Sequence, residues 1–177
     1  MMTTGEDGFA AFFTQIEAPS LRDIVGHWNE VRAGRRMPAW QNIDPVAIAV
    51  HLPIVWSWRY HRDTEQFVGR LIGQTVADLF GKSIRGVKME DYFQGKVYDA
   101  VYSRCHRVVT EPCFSRDHGN IFHYRDRLGT GERIMMPLAD DGIHADGVFG
   151  ATAFDLSAYS GIDQISYAAE ILEYYPL

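Results

Sequence analysis

Between positions 105 and 123 the chain carries Cys105, His106, Cys113, His118 and His123, all side chains able to ligate a metal. Zinc sites place such residues as close pairs on either side of a longer loop, and this spacing matches no such pattern. Cys105 falls on one helical face with Val97, Val101 and Val108, which makes it a small buried thiol. His106 falls off that face and reads as a surface residue. A second stretch, "FVGRLIGQTVADLFGKSIRGVKMEDYF" (67–93), is glycine-rich enough to suggest a phosphate cradle. Gly69, Gly73, Gly81 and Gly86 form neither a Walker nor a dinucleotide fingerprint, and the "GKS" at Gly81 lacks the upstream glycine that motif requires. Ser, His and Asp are scattered, with no Gly-x-Ser-x-Gly elbow to raise a nucleophile. The residues assign no catalytic group and no metal site, name no cofactor, and read as a protein that is not an enzyme.

The elements that must hold these residues follow from periodicity. Phe9, Phe12, Phe13 and Ile16 predict a short helix over 8–17. Ser20, with Asp23 three positions on, predicts a capped helix whose apolar face is Leu21, Ile24, Val25, Trp28 and Val31 and whose stop is Gly34. Asp44 and Pro45 open a short helix to about 51. Ile54, Trp56, Trp58 and Tyr60 alternate with Val55, Ser57 and Arg59, which predicts a strand. "HRDTE" turns the chain into "QFVGRLIG", and so short a connection makes the pair an antiparallel hairpin. Thr75 caps a helix ending at Gly81. Val97, Ala100, Val101, Cys105 and Val108 mark a longer helix over 95–110, ended by Pro112. Three strands follow, and Ser160 and Asp163 open a closing helix carrying Ile165, Ala169 and Leu172. Helices, two strands, helices, three strands and a helix make an α+β chain, not an alternating parallel one.

The 177 residues suit one domain with terminal additions, and a hydrophobic share of 46% can fill a core. A formal charge of −6 argues against nucleic acid as a partner, since phosphate binding needs a clustered basic face. The basic residues from Arg104 to Arg133 are interleaved with acids and read as a solvated face. No apolar run reaches a membrane span, and the N-terminus has neither the basic start nor the apolar stretch of a signal peptide. Two cysteines make no disulfide framework, so a reduced, cytoplasmic protein is the simplest reading.

Three segments carry a family resemblance: "RRMPAWQNIDPVAIAVHLP", "FVGRLIGQTVADLFGKSIRG" and "ERIMMPLADD". Their ordered features are Pro38, Asp44, Pro45, Leu52 and Pro53, then Arg70, Leu71, Gly73, Phe80, Gly81 and Gly86, then Pro137 and Leu138. In this the chain resembles the stand-alone bacterial PAS proteins of the PAS_5 family over roughly residues 20–157. It departs from the family's usual Gly-Thr at Gly73–Gln74 and from its Thr-Gly at Ile84–Gly86.

The resemblance implies a PAS-like five-stranded antiparallel sheet with helices on one face, its strands near 54–60, 66–73, 113–126, 132–138 and 147–155. The organisation expected is an N-terminal helical extension (1–36), a PAS-like domain (37–158) and a C-terminal helix (159–177). Residues 67–93 become the wall of a cavity above the sheet, and its expected lining is Leu71, Val76, Leu79, Phe80, Val97, Val101, Met136 and Phe154. Some PAS domains hold haem through a histidine on the long helix, which here would be His106. The cysteine motif of flavin-linked light sensors is missing. The function implied is sensing or regulation in signal transduction, through a small apolar ligand, a partner protein, or both. Phe12, Phe13 and Trp28 are the expected contacts to a second copy or partner. A ligand-free interaction domain and a small α+β enzyme are the rival classes.

Overall fold

Alternating β-branched and aromatic residues make strands whose two faces differ, and pairing register decides which side chains share a face. The computed structural model describes residues 5–124, 127–158 and 170–177. Its strands are β1 (Val55–His61), β2 (Gln66–Ile72), β3 (Cys113–Tyr124), β4 (Arg127–Leu138), β5 (Gly147–Ala158) and β6 (Glu170–Pro176). They form one antiparallel sheet in the order β2-β1-β5-β4-β3-β6. The five expected strands are all present, with β4 beginning at Arg127 rather than 132.

A sixth strand corrects the expected count. The closing helix expected over 159–177 does not run through residues 170–176, which are β6; residues 159–169 lie outside the described residues. The run "EILEYYP" is rich in strand formers and meets the open edge of β3, pairing Leu172 with Asp117 and Tyr174 with Ser115. A ladder of backbone hydrogen bonds outweighs the loose helical spacing of Ile165, Ala169 and Leu172.

Helices cover both faces of the sheet, not one. On the side here called inner lie α3 (Gln74–Phe80), α4 (Met89–Tyr92) and α5 (Gly95–Thr110). On the outer side lie α1 (Gly5–Gln15) and α2 (Pro19–Val31). The reason is written in β3, where Phe114 on the outer side is fully buried. Phe12 of α1 stacks on it at 4.8 Å and Trp28 of α2 meets it edge-on at 5.1 Å. The Trp28 indole N–H donates to the Pro137 carbonyl at 3.0 Å. Phe12 and Trp28, expected to face a second copy or partner, are therefore buried against their own sheet. Burying a large aromatic side chain contributes about 1.5–3 kcal/mol, which a solvent-facing stripe would forgo. Phe13 is half-buried, beside Phe9 and under the Arg22 guanidinium.

A charged latch joins this outer layer to the sheet. Arg116, the neighbour of β3's inner-facing Asp117, is 3% exposed and bonds Glu132 of β4 at 2.5 Å, Glu173 of β6 at 3.0 Å and Glu17 at 3.1 Å. The Glu132 carboxylate also accepts the backbone N–H groups of Glu17 (3.1 Å) and Ala18 (2.8 Å). A buried charge is tolerated only when so surrounded. This arrangement also replaces the expected cap: α2 starts at Pro19, Ser20 lies inside its first turn, and Asp23 instead meets His51 at 2.9 Å.

Local geometry explains the family motifs around Gly73. The short helix expected over 45–51 is a turn followed by 3₁₀ turns over Ala49–Ile54. Gly73 lies so close to the Leu52 and Pro53 backbone that a side chain there would overlap it. Its N–H donates to the Val55 carbonyl at 2.7 Å. The Leu-Pro and the glycine thus belong to one crossing of two chain segments.

Trp28→Ala is expected to lower stability by about 3–5 kcal/mol, read as a drop in urea midpoint, because it opens a void against Phe114 and strands the Pro137 carbonyl. Trp28→Phe should cost less, since a ring remains against Phe114. Equal effects would mean that the ring packing contributes nothing.

Candidate functional site

Between the inner face of the sheet and α3–α5 lies a cavity of about 580 Å³. That is within the range of small-molecule sites, roughly 300–1,000 Å³. Its floor comes from alternate residues of β1 (Trp56, Trp58) and β4 (Arg133, Met135), with Ile72 of β2 and Asn120 and Ile121 of β3, and its roof from one face of α5, where Val97, Val101, Arg104 and Cys105 recur at helical spacing.

One end is aromatic. Trp56 and Trp58 project from β1 towards Phe80 of α3 and the Tyr92–Phe93 pair at the end of α4. Trp58 sits 6.1 Å from both Tyr92 and Phe93, and Phe80 meets Phe93 edge-on at 5.6 Å. Two polar atoms of this end are already bonded: the Trp56 indole N–H donates to Thr152 Oγ1 at 2.9 Å, and the Tyr92 hydroxyl donates to the Lys82 carbonyl at 3.0 Å. Burial pushes the Tyr92 hydroxyl up to about 12, so it stays a neutral donor. Gly150 makes room for this wall, because a side chain there would run into the Trp56 ring.

The other end is charged. The Asp117 carboxylate of β3, with no exposed side-chain surface, receives Arg104 Nη1 of α5 at 3.1 Å and Arg133 Nη1 of β4 at 2.9 Å. Arg133 also donates through Nη2 to the Ile121 carbonyl at 3.1 Å. Both arginines line the cavity; Asp117 holds them from behind. Cys105 lies beside them, fully buried, and burial pushes its thiol up to about 12; Cys113, also buried, is pushed up to about 11. Neither is an activated nucleophile.

Of the expected lining residues, Val76, Phe80, Val97 and Val101 line the cavity. Leu71, Leu79, Met136 and Phe154 do not. A bulge between Ser57 and Trp58 pairs Trp56 with Ile72, so Ile72 enters the cavity where Leu71 was expected. Met135 faces the cavity, and period two sends Met136 to the outer core. Leu79 is buried off the Val76–Phe80 line, and Phe154 is half-buried opposite Gly131 near the Arg116 latch. Periodicity missed Arg104, Asp117 and Arg133. The signal was there for Arg104, which continues the Val97–Val101 stripe by a helical step. His106 is not on the cavity; it stacks on Tyr102 and meets Tyr60 edge-on. Among the described residues no three His, Cys, Asp or Glu side chains converge as a metal site.

The family model of PAS_5, a PAS domain, matches residues 16–153. The chain belongs to the PAS_5 family. The matched region of this PAS domain starts at Ile16 and so includes α2, which shares one hydrophobic core with the sheet. No curated protein and no solved structure matches the chain. Among the described residues, no helix of the PAS domain is long and apolar enough to cross a membrane.

The buried thiols generate a pH expectation. Cys105 keeps its proton in the folded state to about 12, well above its ordinary 9.0. Its contribution to stability is therefore full below about pH 9 and is lost as pH rises towards 12. Urea midpoints measured from pH 8 to 11 should fall, and less steeply in Cys105→Ala. Ellman's reagent at pH 8 should find no reactive thiol until the chain is unfolded; a fast-reacting thiol in the native protein would contradict this placement.

Proposed function

We propose that this PAS domain is a sensory or regulatory module that takes a small, largely apolar molecule into the cavity between the sheet and α5. The observation that carries this reading is the aromatic end of the cavity. It is lined mainly by ring surface, and the Trp56 indole N–H and the Tyr92 hydroxyl are already bonded within the protein, so it offers burial more than chemistry. Binding would favour one arrangement of the roof helices over another, and the output would be altered contact with a partner protein or a second copy of the chain. On this reading the module works in the cytoplasm and breaks no bond of its ligand.

Native mass spectrometry of the purified protein, with its visible absorption spectrum, tests the reading. Extra mass on the wild type that is absent from Ala100→Trp, whose new ring is placed to fill the cavity and whose folding is checked by circular dichroism, is the expected result. Binding of added N-phenyl-1-naphthylamine by the wild type and not by the variant would support it equally. A wild-type chain with no extra mass that takes up no fluorophore would overturn it, and if that chain is a dimer, weight passes to a pure interaction domain.

A further inference from the structure

The two edges of the sheet are finished differently. At the β2 edge, residues 85–88 close the strand: Val68 bridges Lys88, Gly69 bridges Arg85, and the Gly69 N–H donates to the Val87 carbonyl at 2.9 Å. At the β6 edge nothing among the described residues does the same. The Leu177 N–H donates to the Pro112 carbonyl at 3.2 Å, which sets the phase of the β3–β6 ladder. Bonded and open pairs alternate along such a ladder. Ile171, Glu173 and Tyr175 therefore turn their backbone groups to β3, while Leu172 and Tyr174 point theirs away from the sheet.

The open edge is anchored on both faces. Arg107 of α5 lies over the Tyr174 ring at 3.9 Å, Phe12 of α1 meets Tyr175 at 5.7 Å, and Arg116 bonds Glu173 at 3.0 Å. It also lacks the usual protection of an edge strand. Its register against β3 runs without a bulge, it carries no lysine or arginine, and its one proline, Pro176, sits at the far end. Ile171 on this strand is 53% exposed, and Leu172 and Tyr174 are half-buried. A straight, apolar, unpaired edge of this kind is a template for another strand.

We propose that this edge pairs with the β6 edge of a second copy, antiparallel about a twofold axis at Leu172, and joins two six-stranded sheets into one. Three self-pairings use the outward groups of both Leu172 and Tyr174 within β6. One, centred on Glu173, sets two carboxylates directly opposite each other. Another, centred on Tyr174, needs a donor from Pro176, which has none, and meets α1, where Gly8 sits against the Pro176 carbonyl. The third, centred on Leu172, sets Tyr174 opposite Glu170 and Ile171 opposite Glu173, so no carboxylate faces another and the exposed Ile171 lies against the other strand. A foreign strand would have to reproduce this fit, whereas the chain's own does so by symmetry. The pairing supplies the second-copy contact that the function proposed above calls for, and it needs no ligand.

Sedimentation velocity of the full chain, from about 10 µM to about 1 mM, tests the pairing, because one strand pair is a small interface and gives a weak dimer. The expected result is a monomer–dimer equilibrium that shifts to monomer in Leu172→Pro, which removes an outward N–H and leaves the β3 ladder whole. Ile171→Glu, which places a carboxylate opposite Glu173 in two symmetry-related pairs, should weaken the dimer about tenfold at low salt. Ile171→Lys, at the same exposed position, should leave it as tight or tighter. If Leu172→Pro does not fold, as read by circular dichroism, the two Ile171 variants decide alone. A wild-type monomer at every concentration would overturn the pairing, and if that monomer takes up N-phenyl-1-naphthylamine the cavity reading stands without it. A dimer indifferent to all three substitutions would be joined elsewhere and overturn it too. Equal weakening by glutamate and lysine would overturn the register centred on Leu172.

Discussion

Two neighbouring residues of β3, Arg116 and Asp117, constrain most of this structure. Adjacent strand residues point to opposite faces, so one peptide unit carries a buried cation outward and a buried carboxylate inward. Each needs opposite charges from other elements. Arg116 draws in Glu132, Glu173 and the segment between α1 and α2; Asp117 draws in Arg104 of α5 and Arg133 of β4. Breaking either hub leaves a charge in the core, at a cost of about 3–5 kcal/mol in comparable buried pairs. A slip of one residue between β3 and β4 would turn both hubs to the wrong face, so the ion pairs enforce the register in which Asp117 opposes Arg133.

The cavity follows from that register. Once β4 is held with Arg133 and Met135 facing inward, α5 can reach the sheet only with its Arg104 face down, since that arginine is tied to the same carboxylate. At the other end, no comparable charge fixes the wall. There the shape comes from aromatic rings packed on one another and from Gly150, which leaves space for Trp56. One end is therefore set by electrostatics and the other by packing, and the site inherits its two-sided character from that division.

Much of this was legible in the sequence, because it depends on patterns that repeat. The α5 face was plain from Val97, Ala100, Val101, Cys105 and Val108, and the β1–β2 hairpin from Trp56, Trp58 and Tyr60 and a short turn. What could not be read depends on long-range partners. Whether Met135 or Met136 faces the cavity is a question of parity that an unbroken apolar pair does not answer. Leu71 yielded to Ile72 through a bulge that leaves no local mark. The stripe of Phe12 and Trp28 was visible as an apolar surface, but only Phe114, far along the chain, shows that the surface is covered from within. Arg104 to Arg133 read as solvated because charges were judged by their neighbours in sequence, while their real partners lie across the fold. β6 was hidden because its partner edge exists only once β3 is in place.

The pairing of β1 with β5 has a kinetic side. Val55 meets Ala151 and Arg59 meets Gly147, contacts that span about half the chain. Local pairing alone builds β1–β2 as one piece and β3–β4–β5 as another, and the aromatic end rides on the first while the cationic end rides on the second. Neither piece encloses anything. Joining them closes the longest loop in the sheet, the kind of contact that slows folding. The cavity is thus a product of the finished topology, and a molecule held between the two ends would bind only chains that have completed their last long-range contact.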